Sequence, residues 1–181
     1  WSEKQLDYQA RQVASMLAYN CGFNCNGARL ITVAAGWEHK ERFLALVQEK
    51  LAAVPTRRAY YPAARQTWER FTSRYPDHVA LGEVPEGALP WTILKNVRPD
   101  ADEYALRNEP WCGVFSFVEL DATTPEQFLD AAVPYANDAC WGTLTINMLV
   151  HPKSEKQLGE RLDRAIAELR YGGIGINCWT G

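Results

Sequence analysis

Short apolar, β-branched runs alternate along this chain with longer stretches whose apolar residues recur every three or four positions, and no other feature constrains its fold as strongly. Strands that alternate with helices of about a dozen residues pair in parallel and carry the helices on their faces. SEKQLDYQARQVASMLAYN starts with Ser2 and Gln5 at capping-box spacing, and Leu6, Ala10, Val13 and Leu17 then mark one helical face to about Tyr19. Gly22 is placed to end that helix, and ARLITVA reads as a buried strand. Helix returns in EHKERFLALVQEKLAAV, with Phe43, Leu44, Val47 and Leu51 on one face and Pro55 as the stop. About Tyr61 to Tyr75 forms another helix, with Trp68 and Phe71 facing inward. HVALGEVPEGALP holds Gly82, Pro85, Gly87 and Pro90 and makes a loop or hairpin with weak strands.

WTILKNV and CGVFSFVEL are two further strands. TTPEQFLDAAVPYAN offers Thr124 as N-cap, Pro125 at the first helical position and Gln127 at the capping-box position. TLTINMLV is a strand, and SEKQLGERLDRAIAELR repeats the capping box at Ser154 and Gln157, with Leu158, Leu162, Ile166 and Leu169 toward the core. GGIGINCW is a glycine-entered strand. The expected fold is α/β, three layers (α/β/α) around a mainly parallel sheet. With 181 residues and no internal repeat or linker, residues 1–181 are expected to form a single domain.

Composition excludes some partners. The net charge of -3 and pI of about 5.7 leave no basic footprint for nucleic acid, and no apolar run is long enough for a membrane span. Trp1 opens the chain without Met, a basic n-region or an apolar h-region, and the first helix begins at once; both ends read as cut from a longer protein. Five cysteines cannot all pair internally, and a chain of this size needs no staples, so reduced thiols in a cytoplasmic setting are expected.

In CGFNCNGAR, Cys21 and Cys25 fall where the first helix ends and a strand begins, a loop suited to presenting a nucleophile. Gly22 and Gly27 flank Cys25 and permit close backbone approach or positive φ. A reactive thiolate there needs positive charge, a helix terminus or backbone donors, and Arg29 is near in sequence but faces an unknown direction. The residues alone leave three readings open: a nucleophile, a CxxxC metal pair without a second pair to complete it, or buried thiols. His39 and His78 are expected to be solvated, and His151 follows a strand directly. NEPWCGVFSF sets Asn108, Glu109 and Trp111 just before a strand, where a carboxylate can accept two hydroxyl hydrogen bonds from a sugar or stay solvated. GGIG follows a helix and enters a strand, the reverse of a dinucleotide fingerprint.

The ordered series YNCGFNCNGARLITV, RNEPWCGVFSFVEL, YANDACWGTLTINMLV, LRYGGIGINCWTG resembles the catalytic domain of the aldehyde dehydrogenase superfamily. The resemblance runs collinearly from Ser2 to the end, with an anonymous middle from about Pro55 to Pro90. Asn20, Gly22, Cys25 and Arg29 match the family's nucleophile segment N-x-G-Q-x-C and the arginine beyond it, which implies Cys25 as the nucleophile. It also implies Asn20, Phe23 and Asn24 beside the substrate. Glu109 and Trp111 match the E-x-F segment that positions the nicotinamide of NAD or NADP. ANDACWG matches A-N-x-x-x-Y-G, and GGIGINCW matches G-x-v-x-v-N. Phe23 replaces the usual glutamine, Cys112–Gly113 replaces Gly-Pro, and the interval from Cys25 to Arg29 is one residue short; these leave the substrate preference open.

What the resemblance implies is the catalytic domain of an NAD(P)-dependent aldehyde dehydrogenase, acting on an aldehyde through a cysteine thiohemiacetal and thioester. The cofactor-binding domain, the general-base glutamate and the oxyanion asparagine are expected upstream of Trp1, and the full-length protein is expected to be a homo-oligomer. The fragment alone is expected to be inactive. Alternatives are a non-catalytic interaction domain and a relative that passes the acyl group to coenzyme A.

Overall fold

A computed structural model describes every residue from Trp1 to Gly181. Helix α1 (Glu3–Ala18) opens on a closed capping box: Ser2 Oγ accepts from Gln5 N at 3.3 Å, and Gln5 Oε1 accepts from Ser2 N at 2.8 Å. Its face of Leu6, Ala10, Val13 and Leu17 packs on helix α2 (Lys40–Ala52) through Phe43, Leu46, Val47 and Leu51. Leu46, rather than Leu44, completes the buried stripe of α2.

The main sheet has the order β1-β4-β3-β2, built from β1 (Leu30–Ala34), β2 (Val79–Leu81), β3 (Trp91–Leu94) and β4 (Val114–Leu120). Strand β4 is central and parallel to both neighbours, pairing Leu30 with Ser116 on one side and Thr92 with Val114 on the other. Strand β2 is a short antiparallel edge, so the hairpin expected at HVALGEVPEGALP is present in reduced form. Alternation along β4 fixes the layers. Phe115 joins the α1–α2 core, whereas Val114, Val118 and Leu120 meet helix α3 (Ala64–Arg74) and helix α5 (Pro125–Pro134) on the opposite face. This is the expected three-layer α/β/α arrangement. Between β3 and β4 lies the single turn α4 (Tyr104–Arg107).

A second, two-stranded parallel sheet joins β5 (Thr145–Met148) to β6 (Gly173–Ile176). Helices α6 (Pro152–Leu158) and α7 (Glu160–Glu168) pack with α5 around Leu129, Val133, Leu158 and Leu162. One long helix capped at Ser154 is not what forms here. Pro152 takes the first helical position and His151 becomes the N-cap, its Nδ1 accepting from Lys153 N at 3.1 Å. Gly159, at φ +48° and ψ −129°, then breaks the run, a conformation open to glycine alone. Gln157 donates instead to Glu126 at 2.7 Å. At α5, Thr124 caps as expected, but Gln127 Oε1 reaches one residue further back and accepts from Thr123 N at 2.9 Å. His39 and His78 are both half-buried rather than solvated, edge-on to Trp37 and Trp68 respectively. No helix is long and apolar enough to cross a membrane, and no group of three His, Cys, Asp or Glu side chains is placed to hold a metal ion.

Candidate active site

Beyond α1 the chain takes three consecutive left-handed residues, Asn20 (φ +50°), Cys21 (φ +59°) and Gly22 (φ +78°). Each non-glycine residue in that region costs on the order of 1–2 kcal/mol. The loop is held there by side chains: Asn20 Nδ2 donates to Phe23 O at 3.0 Å and to the Tyr60 hydroxyl at 2.9 Å. Gly22 is required for a second reason. A Cβ there would stand 2.8 Å from the carbonyl carbon and oxygen of Cys112, so only glycine lets this loop lie against the Cys112–Gly113 peptide.

Next comes a tight turn. Gly27 N donates to Asn24 O at 3.0 Å, and Asn26 N donates to the Asn24 side chain at 2.7 Å, an Asx turn with Cys25 at its tip. The Cys25 thiol is exposed, and its N–H has no intramolecular partner. Cys21, four residues earlier, is half-buried and faces a narrow cleft with Phe23, Leu89, Trp91 and Cys112. Burial pushes the Cys21 thiol up, against the Arg57 charge. Cys112 is fully buried, and burial lifts its thiol to about 12 despite the nearby Arg29.

Arg29 is the anchor of the site. Its Nη1 donates to Cys112 O at 2.9 Å, and its Nη2 donates to Gly22 O and, at 3.1 Å, to Asn24 O. Burial lowers its pKa from the ordinary value, with Glu109 and Cys112 acting the other way, and a guanidinium remains charged through such a shift. The Glu109 carboxylate lies 3.9 Å from Arg29 Nε, and the Arg29 guanidinium stands 5.9 Å from the Trp111 ring centroid. Trp111, at φ +40°, meets Tyr61 edge-on at 5.6 Å, and Tyr61 stacks on Phe23 at 5.7 Å. Arg29 and this aromatic series thus bring the Cys25 loop and the Glu109–Trp111 segment into one site. Glu109 remains half-exposed, with oxygens free to accept further hydrogen bonds.

The chain after β6 closes the site from another side. Trp179 Nε1 donates to Asn26 O at 2.9 Å, and its ring meets Tyr19 edge-on at 5.1 Å. Asn177 grips Val150 with two hydrogen bonds of 2.9 Å, and Thr180 N donates to Asn147 Oδ1 at 3.2 Å, which fixes the segment.

Of the residues expected beside the substrate, Asn20 has its amide engaged by the loop, Phe23 is buried among Tyr60 and Tyr61, and Asn24 shapes the turn. Three participants were not read as such from sequence: the inward aim of Arg29, the Trp179 donor, and the Tyr60–Tyr61 pair. A signal existed only for the first. An arginine entering the apolar LITV run can be buried only where it finds several acceptors, and GARLITV supplies none, so an inward aim requires carbonyls from outside that run.

Solved structures of aldehyde dehydrogenases share this fold. Over 97% of the chain, it superposes on the aldehyde dehydrogenase KauB from Pseudomonas aeruginosa with a TM-score of 0.74 and 20% identity. Lactaldehyde dehydrogenase from Escherichia coli gives a TM-score of 0.76 and 21% identity over 97% of the chain. The NADP-dependent glyceraldehyde-3-phosphate dehydrogenase from Bacillus halodurans C-125, complexed with NADP, gives 0.76 and 13% over 97%. The fold is that of an aldehyde dehydrogenase. The chain spans 36% of the Pseudomonas and Bacillus chains and 37% of the Escherichia chain. No protein-family model matches it, and neither does any curated protein. Within the aldehyde dehydrogenase fold, an exposed thiol, a backbone N–H without an internal acceptor and a half-exposed carboxylate sit on the two segments that Arg29 joins.

Proposed function

We propose that this chain is the catalytic domain of an NAD(P)-dependent aldehyde dehydrogenase and that Cys25 is its nucleophile. The observation that carries this reading is the exposed Cys25 at the tip of a turn with its N–H unengaged, tied through Arg29 to Glu109 and Trp111. The Cys25 thiolate attacks the aldehyde carbonyl carbon, forming a C–S bond and a thiohemiacetal oxyanion. The Cys25 N–H donates to that oxygen, together with a second donor from elsewhere in the full-length protein. When bound, the oxidised nicotinamide supplies the hydride acceptor. Glu109 fits its ribose, because the carboxylate is half-exposed and keeps acceptor positions open, and Trp111 offers a ring beside it. Loss of hydride from the thiohemiacetal carbon leaves a thioester on Cys25. Water, activated by a base outside residues 1–181, releases the carboxylic acid and returns the thiol.

NAD(P)H formation by the full-length protein with an aldehyde tests this directly. Cys25→Ser is expected to lower kcat at least about 10³-fold, the scale of losing a nucleophile that works as part of a unit. Cys21→Ser is expected to keep most of the activity. The reverse ranking would move the nucleophile to Cys21.

A second reading rests on a specific observation: Asn20, Phe23 and Asn24 are all engaged in holding the loop, and the cleft beneath is narrow. On that reading the lobe is a non-catalytic interaction domain. A full-length protein that forms no NAD(P)H and no acyl-CoA from any aldehyde supports it.

A further inference from the structure

All peptide bonds in the chain are trans, so the C=O and N–H of one peptide unit point in opposite directions. The unit joining Asn24 to Cys25 therefore has its direction set by whatever holds the Asn24 carbonyl. Two donors hold it: Arg29 Nη2 at 3.1 Å from within the fold and Gly27 N at 3.0 Å. The same guanidinium holds the carbonyls of Gly22 and Cys112, so it cannot turn without breaking contacts to three carbonyls on two segments. With the Asn24 carbonyl drawn inward, the Cys25 N–H is turned outward, on the exposed side of the turn and without an internal acceptor.

We propose that Arg29 is a positioning residue whose contact with the Asn24 carbonyl aims the Cys25 N–H at the oxyanion formed on Cys25. The role rests on the assignment of Cys25 as nucleophile. Arg29 touches no reacting atom. Its contribution is to fix, before substrate arrives, the orientation of a donor that a free turn would let rotate. Gly27 belongs to the same device: a Cβ there would lie 3.1 Å from Asn24 O and 3.2 Å from Arg29 Nη2, so a side chain would press on both partners of their contact and shift one of them by a few tenths of an ångström.

Two reagents separate positioning from thiol activation. p-Nitrophenyl acetate acylates a thiolate through a tetrahedral oxyanion: the sulfur adds to the ester carbonyl, and collapse expels p-nitrophenolate. Iodoacetamide alkylates the same thiolate by displacement of iodide and forms no oxyanion. Both are followed on the full-length protein, with peptide mapping at Cys25. In Arg29→Lys the acylation burst is expected to slow by about 10²-fold, the scale of one lost oxyanion donor, while alkylation stays within about 3-fold. Gly27→Ala keeps the buried charge and guards against simple misfolding of the arginine variant; it is expected to slow acylation about 10-fold with alkylation unchanged. Equal losses in both reactions, or no loss in the Gly27→Ala acylation, would overturn the role of Arg29. A wild-type Cys25 inert to both reagents would instead refute its assignment as nucleophile.

Discussion

Two turns in this molecule each lead from a helix into the strand that follows it. Residues 19–29 lead from α1 into β1, and residues 135–144 lead from α5 into β5. Each carries cysteine, and each is held by an aromatic donor from near the end of the chain. Trp179 Nε1 donates to Asn26 O at 2.9 Å in the first, and the Tyr171 hydroxyl donates to Ala136 O at 2.8 Å in the second. The difference lies in the backbone. In the second turn the Cys140 N–H donates to Tyr135 O at 3.3 Å, its thiol is half-buried, and burial pushes that thiol up. In the first, a buried guanidinium takes the carbonyls and leaves the Cys25 N–H unengaged beside an exposed thiol. A helix-to-strand turn thus gives an inert thiol or an available one, according to which backbone groups are already satisfied.

The comparison breaks most readily on thiol reactivity. Peptide mapping after iodoacetamide treatment of the full-length protein at pH 8 is expected to show Cys25 reacting at least about 100-fold faster than Cys112 or Cys140, because burial suppresses both thiolates. Cys178 is exposed like Cys25 but lies outside the Arg29 anchor, so it calibrates exposure alone. Five slow and equal rates would make both turns structural.

The buried thiol beneath the first turn gives a smaller effect with a definite sign. Cys112 rises from 9.0 to about 12 in the fold, so between those values the folded chain keeps a proton that the unfolded chain loses. Stability from this group is therefore complete below about pH 9 and falls as pH rises toward 12, by at most about 1.4 kcal/mol per pH unit. Urea unfolding at pH 8 and pH 10 is expected to show a steeper loss for the wild type than for Cys112→Ala. Parallel losses would mean that the thiol is not protected in the fold.

Patterns that depend on near neighbours were legible in the sequence. The Ser2–Gln5 box, the Thr124–Pro125 start, the strands and the layer order follow from spacing within one element or the next. Ser154–Gln157 failed for a local reason as well: Pro152 starts the helix earlier, and Gly159 divides it. The site was legible only as residue types. Its working geometry comes from contacts such as Arg29 with Cys112 and Trp179 with Asn26, and nothing in the spacing of GARLITV or NCWTG says which distant carbonyl each will meet. The resemblance pointed to Cys25, Arg29, Glu109 and Trp111, but not to the carbonyls of Gly22, Asn24 and Cys112 through which Arg29 joins the two segments.

The finest distinction between the turns concerns their aromatic donors. Trp179→Phe and Tyr171→Phe each keep a ring and remove one hydrogen bond to a turn carbonyl, and each is expected to lower stability by about 0.5–1.5 kcal/mol in urea unfolding. The two donors serve separate turns, so the double variant is expected to lose the sum of the single losses. Chemistry at Cys25 should tell them apart. With Trp179→Phe the Asn26 carbonyl is released next to Cys25, the proposed nucleophile, and acylation of Cys25 by p-nitrophenyl acetate is expected to slow about 3-fold, a modest fraction of the loss of a whole oxyanion donor. Tyr171→Phe releases Ala136 in the other turn and is expected to leave that rate unchanged. Equal slowing by both would mean that the turns are coupled through the β5–β6 sheet, and the availability of Cys25 would then depend on more than its own anchor.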